Sequence, residues 1–303
     1  MIREGFQTTS ARGLRPSHPA MRLWRKAKKL GTWDPADIDF SADRHDWLKM
    51  NDRERDLLLR LTTIFQSGEE AVTLDLLPLI NVIALEGRLE EEMYLTSFLF
   101  EEAKHVDGFR RFLDEVCHAH EDLSRFETPS YAKIFHDELP RSLGRLRDDP
   151  SAEAQAEASV TYNLVVEGIL AETGYHGYYT VLEERNLMPG MRQMVSYLKR
   201  DESRHIAYGV FLLSRLVAEH GEGVWQVIES RINELLQPAL SIIFEAFACY
   251  GDDVPFGLTV DQFSTFAMSQ FQHRLERMMR ARSQTLEEIL ETEVESEGVL
   301  VEV

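Results

Sequence analysis

The 303-residue sequence has only two cysteines, Cys117 and Cys249, so no disulfide framework is implied. It also lacks a basic excess, because 33 Lys and Arg face 52 Asp and Glu and give a formal net charge of -19, which would repel nucleic acid and anionic lipid. No apolar run approaches the roughly 20 residues of a membrane span, and the N-terminus lacks a signal-peptide stretch. We therefore expect a soluble protein of the reducing cytoplasm, with neither nucleic acid nor membrane as a partner.

A strand-like alternation of polar and apolar residues is missing as well, whereas helical periodicity is present along most of the chain. Between Leu58 and Leu79, for example, apolar residues recur at the spacings of one helix face. This pattern, interrupted at glycines and prolines, predicts helices over 51–86, 88–118, 129–147, 151–186, 189–220, 222–250 and 259–283. Long helices with short connections favour antiparallel neighbours, so the predicted fold is all-α, a bundle of long helices.

The two ends of the chain differ from its middle. Residues 1–45 carry Pro16, Pro19 and Pro35 with little periodicity, which predicts an irregular N-terminal arm. Residues 285–303 contain seven glutamates and no aromatic residue, which is typical of a solvated or disordered acidic tail. The expected organisation is thus an arm over 1–45, one helical bundle over 46–284 and a tail over 285–303.

Two tetrads of the same pattern stand out, Glu102-Ala103-Lys104-His105 and Glu202-Ser203-Arg204-His205. Residues three apart on a helix share a face, so each tetrad aims one carboxylate and one imidazole at the same point. A single Glu-x-x-His is more often a chance pair on a solvated face. The second copy makes a shared metal centre the better interpretation.

Each tetrad also follows an earlier glutamate on an apolar helix face, at nearly the same distance. Glu69 lies 33 positions before Glu102, and Glu167 lies 35 positions before Glu202. Two such hairpins, packed about a pseudo-twofold axis, form the core of ferritin-like bundles with a dinuclear carboxylate centre. The predicted metal ligands are Glu69, Glu102, His105, Glu167, Glu202 and His205.

The charge of this ligand set indicates which ions it would hold. Four carboxylates on apolar faces need compensating positive charge, and two divalent cations supply it while both histidines remain neutral. Carboxylates with imidazoles suit iron and manganese, whereas structural zinc sites usually recruit thiolates. Oxidation to the trivalent state adds charge that an oxygen-derived ligand or an exogenous carboxylate can offset. The set therefore favours redox chemistry with dioxygen.

Other residues near the predicted ligands allow more than one interpretation. Glu70, Glu101 and Asp201 point about 100° away from their ligand neighbours, so they face solvent or support the ligands. Four small residues recur every third position along one predicted helix, where they leave room for an acyl chain or allow close helix packing. They are Gly168, Ala171, Gly174 and Gly177.

At these positions the sequence resembles the ribonucleotide reductase small-subunit superfamily, and within it most closely the ligand-binding oxidases. The resemblance implies an oxidase with a mixed manganese/iron centre or two irons, and a long-chain fatty acid bound at the metals. It also implies an ether cross-link between a valine and a tyrosine, here Val72 and Tyr162. We further expect a homodimer. The matching stretches are 33–40, 68–73, 102–105, 162–168 and 201–205.

The two cross-link positions also have an interpretation from chemistry alone. Val72 lies three residues after Glu69 and so on the ligand face, and its β-carbon carries a tertiary C–H bond. Joining that carbon to the phenol oxygen of Tyr162 would be a two-electron oxidation. Residue type alone favours ordinary core packing for both, so the cross-link depends on the resemblance.

Two alternatives to a ligand-binding oxidase stay open. A manganese/iron ribonucleotide reductase small subunit is one, since Trp33 and Asp201 match positions of the radical-transfer route. Against it, Phe109 occupies the place of the usual radical tyrosine, Glu69 stands where many small subunits have aspartate, and the C-terminal tail contains no tyrosine. The second alternative is a non-enzymatic ferritin-like metal-binding protein.

Overall fold

The computed structural model describes residues 5–291, and the described chain contains helices but no strand. The first two helices, α1 (Pro19–Leu30) and α2 (Ser41–Lys49), lie where an irregular arm was expected, so that part of the prediction is wrong. Pro19 is the first residue of α1, a position where a missing N–H costs nothing, and His18 caps the helix. Pro19, which suggested irregular structure in the sequence, therefore begins a helix.

The body of the protein is a set of long helices joined by short loops. A capping box formed by Asn51 and Glu54 starts the longest of them, and Pro78 lies within it without ending it. The helices are α3 (Asp52–Leu85), α4 (Leu89–Phe112), α5 (Pro129–Ala132), α6 (Leu139–Arg145), α7 (Ala152–Ser159), α8 (Glu172–Leu182), α9 (Pro189–His220), α10 (Glu222–Ala248), α11 (Val260–Ala281) and α12 (Leu286–Glu291).

Three stretches that were predicted as parts of α-helices are π-helical, with one extra residue per hydrogen-bonded turn. Leu113–Cys117 extends α4, and Lys133–Glu138 separates α5 from α6. The longest, Val160–Ala171, joins α7 to α8 and is called the central π segment below. From periodicity alone, residues 151–186 are predicted as one continuous α-helix. The spacing of apolar residues in α-helical and π-helical turns is too similar for the sequence pattern to tell the two apart.

The four elements that carry the predicted ligands pack side by side. α3 and α4 form an antiparallel hairpin, and α9 lies against α4 and the central π segment. α10 and α11 cover the other side of that segment. Buried apolar side chains fill the spaces between the helices, among them Leu76, Leu79 and Leu212. The prediction of an all-α, ferritin-like bundle is confirmed.

The C-terminal prediction is only partly visible. α12 forms a short helix at the start of the stretch expected to be a solvated tail, and Ile289 is buried. Residues 292–303 lie outside the described residues. Among the helices of residues 5–291, none combines the length and the apolar character that crossing a bilayer would require.

Candidate metal centre

The structure brings the six predicted ligands together in the interior of the bundle. α3 contributes one glutamate, the central π segment another, and α4 and α9 contribute one Glu-x-x-His pair each. Every one of these side chains is at most 5% exposed. The six residues form two sets of four, which share two glutamates. Within each set, one ligand atom from each residue lies within 4.8 Å of the ligand atoms of the other three. The first set is Glu69, Glu102, His105 and Glu202; the second is Glu102, Glu167, Glu202 and His205.

Both imidazoles turn Nδ1 toward the carboxylates. Nδ1 of His105 lies 3.3 Å from Glu69 Oε2 and 3.4 Å from Glu202 Oε1. Nδ1 of His205 lies 3.1 Å from Glu102 Oε1 and 3.3 Å from Glu202 Oε2. Each histidine therefore offers one nitrogen to the shared centre and keeps Nε2 for a partner outside it.

Several buried atoms of this centre make no hydrogen bond with the described chain. They are Glu102 Oε2, Glu167 Oε1, Glu202 Oε2 and His205 Nδ1. Buried polar atoms without a partner are rare and costly, and these four point into one small volume. Carboxylate oxygens and imidazole nitrogens are the donors that iron and manganese accept, so the residues fit a pair of such ions.

The electrostatics of the centre also call for cations. Burial and the neighbouring carboxylates raise the pKa of Glu69 and Glu167 well above the ordinary value. Burial opposes ionisation of Glu102 too, but His205 and His105 beside it hold its pKa well below that value. The protein alone cannot stabilise four negative charges here, so protons or metal ions must share the site.

Glu101 supports a histidine of the opposite helix. Its Oε2 lies 2.9 Å from His205 Nε2, and its Oε1 accepts a hydrogen bond of 2.6 Å from Arg204 Nη2. The sequence left open whether Glu70 and Glu101 face solvent or support the ligands. In the structure Glu101 is buried and supports a ligand, whereas Glu70 is exposed. A carboxylate behind an imidazole fixes the ring and makes it a better metal ligand.

Asp201 occupies the equivalent position behind His105. Its Oδ2 lies 3.5 Å from His105 Nε2 and accepts hydrogen bonds of 2.7 Å from Trp33 Nε1 and 3.1 Å from Lys104 Nζ. Burial alone would raise the pKa of Asp201, but His105, Arg204 and Lys104 beside it hold that pKa well below its usual range. An ionised carboxylate thus lies between the histidine and the tryptophan, and it is hydrogen-bonded to the tryptophan.

Three buried polar groups donate hydrogen bonds to the ligand carboxylates. The hydroxyl of Tyr162 donates to Glu102 Oε1 at 3.0 Å, and Nδ2 of Asn163 donates to Glu167 Oε2 at 3.0 Å. The hydroxyl of Tyr175 reaches Glu69 Oε1 at 3.4 Å and Glu202 Oε1 at 3.3 Å. Sequence reasoning missed Tyr175, eight positions after Glu167, and Asn163, which lies about one helical turn before it.

The central π segment explains how Tyr162 and Glu167 reach the same centre. In an α-helix, residues five apart are separated by about 140° around the axis and face different neighbours. A π-turn closes between residues five apart and so brings such a pair onto a common face. The two side chains, 1% and 3% exposed, both point toward Glu102 and Glu202 as a result.

A cavity of about 150 Å³ opens beside the carboxylates. Val72, which is buried, and the ligand glutamates form its inner end. Of the four small residues, Ala171, Gly174 and Gly177 line it. A β-carbon on Gly174 would come within 2.5 Å of the Phe65 ring, so small residues here serve both close packing and the cavity. The other walls are largely apolar and include Leu57, Leu61, Phe65, Leu170, Ile242 and Phe263, although Arg60 and Thr173 also line the cavity.

Comparison with known proteins identifies the family. The model of the ribonucleotide reductase small chain matches residues 15–289. The chain belongs to this family. Among solved structures it is similar to the R2-like ligand-binding oxidase from Sulfolobus acidocaldarius, with 40% identity over 95% of this chain and 99% of that chain and a TM-score of 0.87. The expected membership of the ligand-binding oxidase branch is confirmed.

Two further ligand-binding oxidase structures indicate which metals the branch accepts. One, with an aerobically reconstituted Mn/Fe cofactor, is 35% identical, covers 92% of this chain and 98% of its own, and has a TM-score of 0.87. The other, a glycine-to-leucine variant with an aerobically reconstituted Fe/Fe cofactor, is 35% identical over 92% of this chain and 99% of its own, with the same TM-score.

Within this ribonucleotide reductase small chain fold, the place expected for a radical tyrosine is fully apolar. Phe109 is completely buried, and its ring stacks on Phe65 with centroids 5.1 Å apart. It has no hydroxyl that could lose a proton, so it cannot carry a stable tyrosyl radical. The nearest phenols to the ligand glutamates are those of Tyr162 and Tyr175.

Proposed function

We propose that the protein is a dioxygen-activating oxidase that holds one manganese and one iron ion, or two irons. The ligands would be Glu69, Glu102, His105, Glu167, Glu202 and His205. One observation carries the proposal: two buried ligand sets share Glu102 and Glu202, and several of their donor atoms have no hydrogen-bond partner among residues 5–291. The Mn/Fe and Fe/Fe cofactors of similar oxidases favour the same two metals here.

The protein's own residues would prepare the site for oxidation. Glu101 and Asp201 hold the imidazole rings with Nδ1 directed inward. Tyr175 bridges Glu69 and Glu202, and the apolar walls of the cavity keep bulk water away from the carboxylates. In this environment a bound pair of metal ions would allow dioxygen to act as the oxidant.

We further propose that Val72 and Tyr162 become joined by an ether bond. Val72 lines the inner end of the cavity, and the Tyr162 hydroxyl donates a hydrogen bond to Glu102 beside it. Val72 would lose its β-hydrogen, Tyr162 its hydroxyl hydrogen, and one C–O bond would form. Two electrons and two protons then pass to dioxygen. Its reduction to two waters needs two more electrons, which oxidation of both ions to the trivalent state would supply, and two more protons, which solvent would supply.

A long-chain fatty acid is the ligand that fits this cavity best. The carboxylate would sit at the inner end, where it offsets the charge of trivalent ions, and the acyl chain would lie along the apolar walls. The cavity lining supports this, because the ligand glutamates lie at the inner end while Leu57, Leu61 and Phe263 line much of the remainder, to which Arg60 adds a basic group.

We also propose a homodimer in the cytoplasm. Leu74 and Leu77 on α3 and Phe100 on α4 are 61%, 47% and 57% exposed. These exposed apolar side chains all lie on the α3–α4 hairpin, where a second copy of the chain would cover them. Cys117 and Cys249 are both free thiols, which suits a reducing compartment.

Mass spectrometry after aerobic loading with Mn(II) and Fe(II) tests the oxidase and its cross-link. We expect the intact chain to lose two hydrogens, localised to the peptides of Val72 and Tyr162. Tyr162→Phe should bind the metals without the mass change, and the matched control Tyr179→Phe should still show it. An unchanged mass in the loaded wild-type protein would contradict the cross-link.

Elemental analysis tests the ligand assignment separately. Glu102→Ala removes a carboxylate shared by both sets, and His205→Ala removes one nitrogen, so we expect each variant to lose at least one metal per chain. Glu70→Ala, next to Glu69 but exposed, should retain two. Two tightly bound metals in either ligand variant would overturn the assignment.

One observation favours a second candidate function. Trp33, Asp201 and His105 are connected, as a radical-transfer route in a ribonucleotide reductase small subunit requires. Co-purification with a nucleotide-reducing large subunit would support that role. Failure to recover such a complex would count against it, whereas Phe109 excludes only a small subunit that stores its radical on a tyrosine at that position.

A further inference from the structure

The cavity beside the carboxylates has a basic group that the proposed fatty-acid ligand leaves unused. Along α3 the cavity lining runs from Leu57 to Val72, and Arg60 is the one basic residue among the described residues that form it. The ligand glutamates supply the negative charge at the inner end. What Arg60 would bind is inferred below for the ligand of the proposed function and therefore rests on that function.

Arg60 lies on the part of the lining that is remote from the metal ligands. It precedes Glu69 by nine positions on α3, which corresponds to a rise of about 13 Å along the helix. Leu61, Ile64 and Phe65 lie between these two residues and line the same cavity. A chain extended along this wall would therefore pass from the carboxylates, over apolar side chains, to the arginine.

The guanidinium of Arg60 packs against aromatic rings. Its Cζ lies 4.8 Å from the centre of the Phe126 ring and 5.9 Å from the centre of the Tyr250 ring. The Arg60 side chain is only 15% exposed. Because these contacts orient the guanidinium before a ligand binds, little conformational entropy would be lost on binding.

This guanidinium has hydrogen-bonding capacity to spare. Its Nε is buried and makes no hydrogen bond with residues 5–291. Nη2 lies 4.0 Å from Asp56 Oδ2, which is beyond hydrogen-bond distance, and that oxygen accepts a hydrogen bond of 2.5 Å from the Tyr250 hydroxyl. Asp56 is also 43% exposed, so solvent weakens its attraction to Arg60. Arg60 is thus a largely buried cation that can still bind an anion.

A ligand with a single carboxylate at the metals would leave this cation without such a partner. The hydrocarbon end of the chain would then lie toward Arg60. An apolar chain end excludes water from the guanidinium and accepts no hydrogen bond, which is unfavourable for a buried charge. An anionic group at the outer end of the ligand would remove that penalty.

We propose that Arg60 is a second anion-binding site in the cavity, and that the ligand is a long-chain acid with an anionic group at each end, such as an α,ω-dicarboxylic acid. The inner carboxylate would bind at the metals. The outer carboxylate would accept hydrogen bonds from the guanidinium, whose planar fork matches carboxylate geometry. Arg60 would thereby select both the length of the chain and the chemistry of its far end.

A fatty acid bound in the opposite direction is the other ligand that Arg60 could hold. Its carboxylate would pair with Arg60, and its methyl end would face the ligand glutamates. The charge of the inner end favours the acid with two anionic groups. Four carboxylates and two trivalent ions leave a positive charge there, which an anionic group offsets and a methyl group does not.

Calorimetric titration of lipid-free, metal-loaded protein tests the second site without measuring activity. The probes are dodecanedioic, tetradecanedioic and hexadecanedioic acid, each compared with the monocarboxylic acid of the same length. For at least one length, wild type should bind the diacid at least about tenfold more tightly, because hydrogen bonds to charged groups are the stronger ones. The preference should peak at one length, since both ends of the ligand are fixed.

Substitution of Arg60 should reverse the preference. Arg60→Met keeps an unbranched apolar side chain but leaves the second carboxylate without a partner, so it should bind each diacid more weakly than the matching monoacid. Its affinity for the monoacid should stay at the wild-type level. Arg60→Lys keeps the charge and should recover part of the preference, which also tests the site if Arg60→Met fails to fold. Arg55→Met, on α3 but outside the cavity lining, is the matched control and should bind as wild type does.

Three results would overturn the second site. Equal affinity of wild type for diacid and monoacid at every length would show that Arg60 binds no second anion. A loss of monoacid affinity in Arg60→Met would show that Arg60 holds the carboxylate of a reversed fatty acid. If loaded wild type binds neither kind of acid, the proposed fatty-acid ligand fails too, and this result is distinct from the other two.

Discussion

Gly209 shows how one residue without a side chain supports the centre. It lies on α9 opposite Asn163, where an added β-carbon would come within 2.2 Å of the Asn163 Cβ. The Asn163 amide accepts a hydrogen bond from Ser159 Oγ at 2.9 Å and donates one to Glu167. Close approach of the two helices therefore lets the amide hold a ligand carboxylate in one orientation.

Gly209→Ala should destabilise the protein and disturb the ligand that Asn163 holds. Overpacking at a buried contact costs about 1–3 kcal/mol, and we expect that loss in urea unfolding of the metal-free protein together with weaker metal retention. Gly144→Ala is the matched control, because only Arg147 Nη1, at 3.9 Å, lies near its added carbon. An equal loss in both variants would show that the Asn163 contact is not the cause.

Spacing and residue type predicted the six glutamates and histidines that the structure brings together, but not the groups around them. Lys104 and Arg204 stand inside the two tetrads and were passed over, yet each neutralises Asp201, and Arg204 also binds Glu101. Their roles depend on which helix lies opposite. A repeat within one chain predicts the ligands, whereas contacts between helices decide their supporting partners.

At the scale of helices, His18 fastens the start of α1. Its Nδ1 accepts a hydrogen bond from the Ala20 backbone N–H at 3.2 Å, and its ring packs edge-on against Phe211. Burial lowers the pKa of His18 to about 4. Only the neutral ring can accept the capping hydrogen bond, so the folded state favours the deprotonated form.

The depressed pKa of His18 predicts an acid-dependent loss of stability. Its contribution is present above the unfolded pKa of about 6.5 and is lost as the pH falls through about 4. Between these two pH values, the free energy of unfolding measured in urea should fall by about 1–3 kcal/mol less for His18→Asn, which keeps a capping oxygen, than for wild type. His120→Asn replaces an exposed histidine and should follow wild type. Parallel pH profiles for wild type and His18→Asn would contradict the role of His18.

Asp43 joins α2 to the start of α9. Its carboxylate, fully buried, accepts hydrogen bonds from the backbone N–H groups of Gly190 at 2.9 Å and Met191 at 2.7 Å. These donors have no partner inside their own helix, so Asp43→Ala should cost about 1–3 kcal/mol in chemical unfolding. Asp52→Ala removes a side chain that is 97% exposed and should change the free energy of unfolding by only a few tenths of a kcal/mol. Similar values for both would show that the Asp43 cap does not matter.

The helix bounds of the body were predictable within a few residues, because glycines, prolines and capping residues mark them. The N-terminal helices were not, since proline is ambiguous: Pro19 starts α1, while Pro78 and Pro238 lie inside long helices. The π segments were missed for a different reason. The central π segment, for example, packs against α9, α10 and α11, and its hydrogen-bond register depends on these contacts, which no local pattern encodes.

At the scale of the whole molecule, the apolar surface on the α3–α4 hairpin predicts the oligomeric state. Leu74→Lys with Leu77→Lys places two charges in the proposed interface, so sedimentation should show a monomer where the wild type forms a dimer. Leu48→Lys alters another exposed leucine, on α2, and should remain dimeric. A dimer that persists in the double variant would place the interface elsewhere.

The central π segment separates the spacing of the ligands along the chain from their direction around the helix. Deleting one residue between Tyr162 and Glu167 would let a wide turn tighten into an ordinary α-helical one, in which residues four apart differ by only about 40° around the axis. Tyr162 and Glu167 would then still face the same centre, and every glutamate and histidine of the set would keep its place. A homologue with a single-residue gap at this point would therefore keep the centre even though its ligand spacing is one residue shorter.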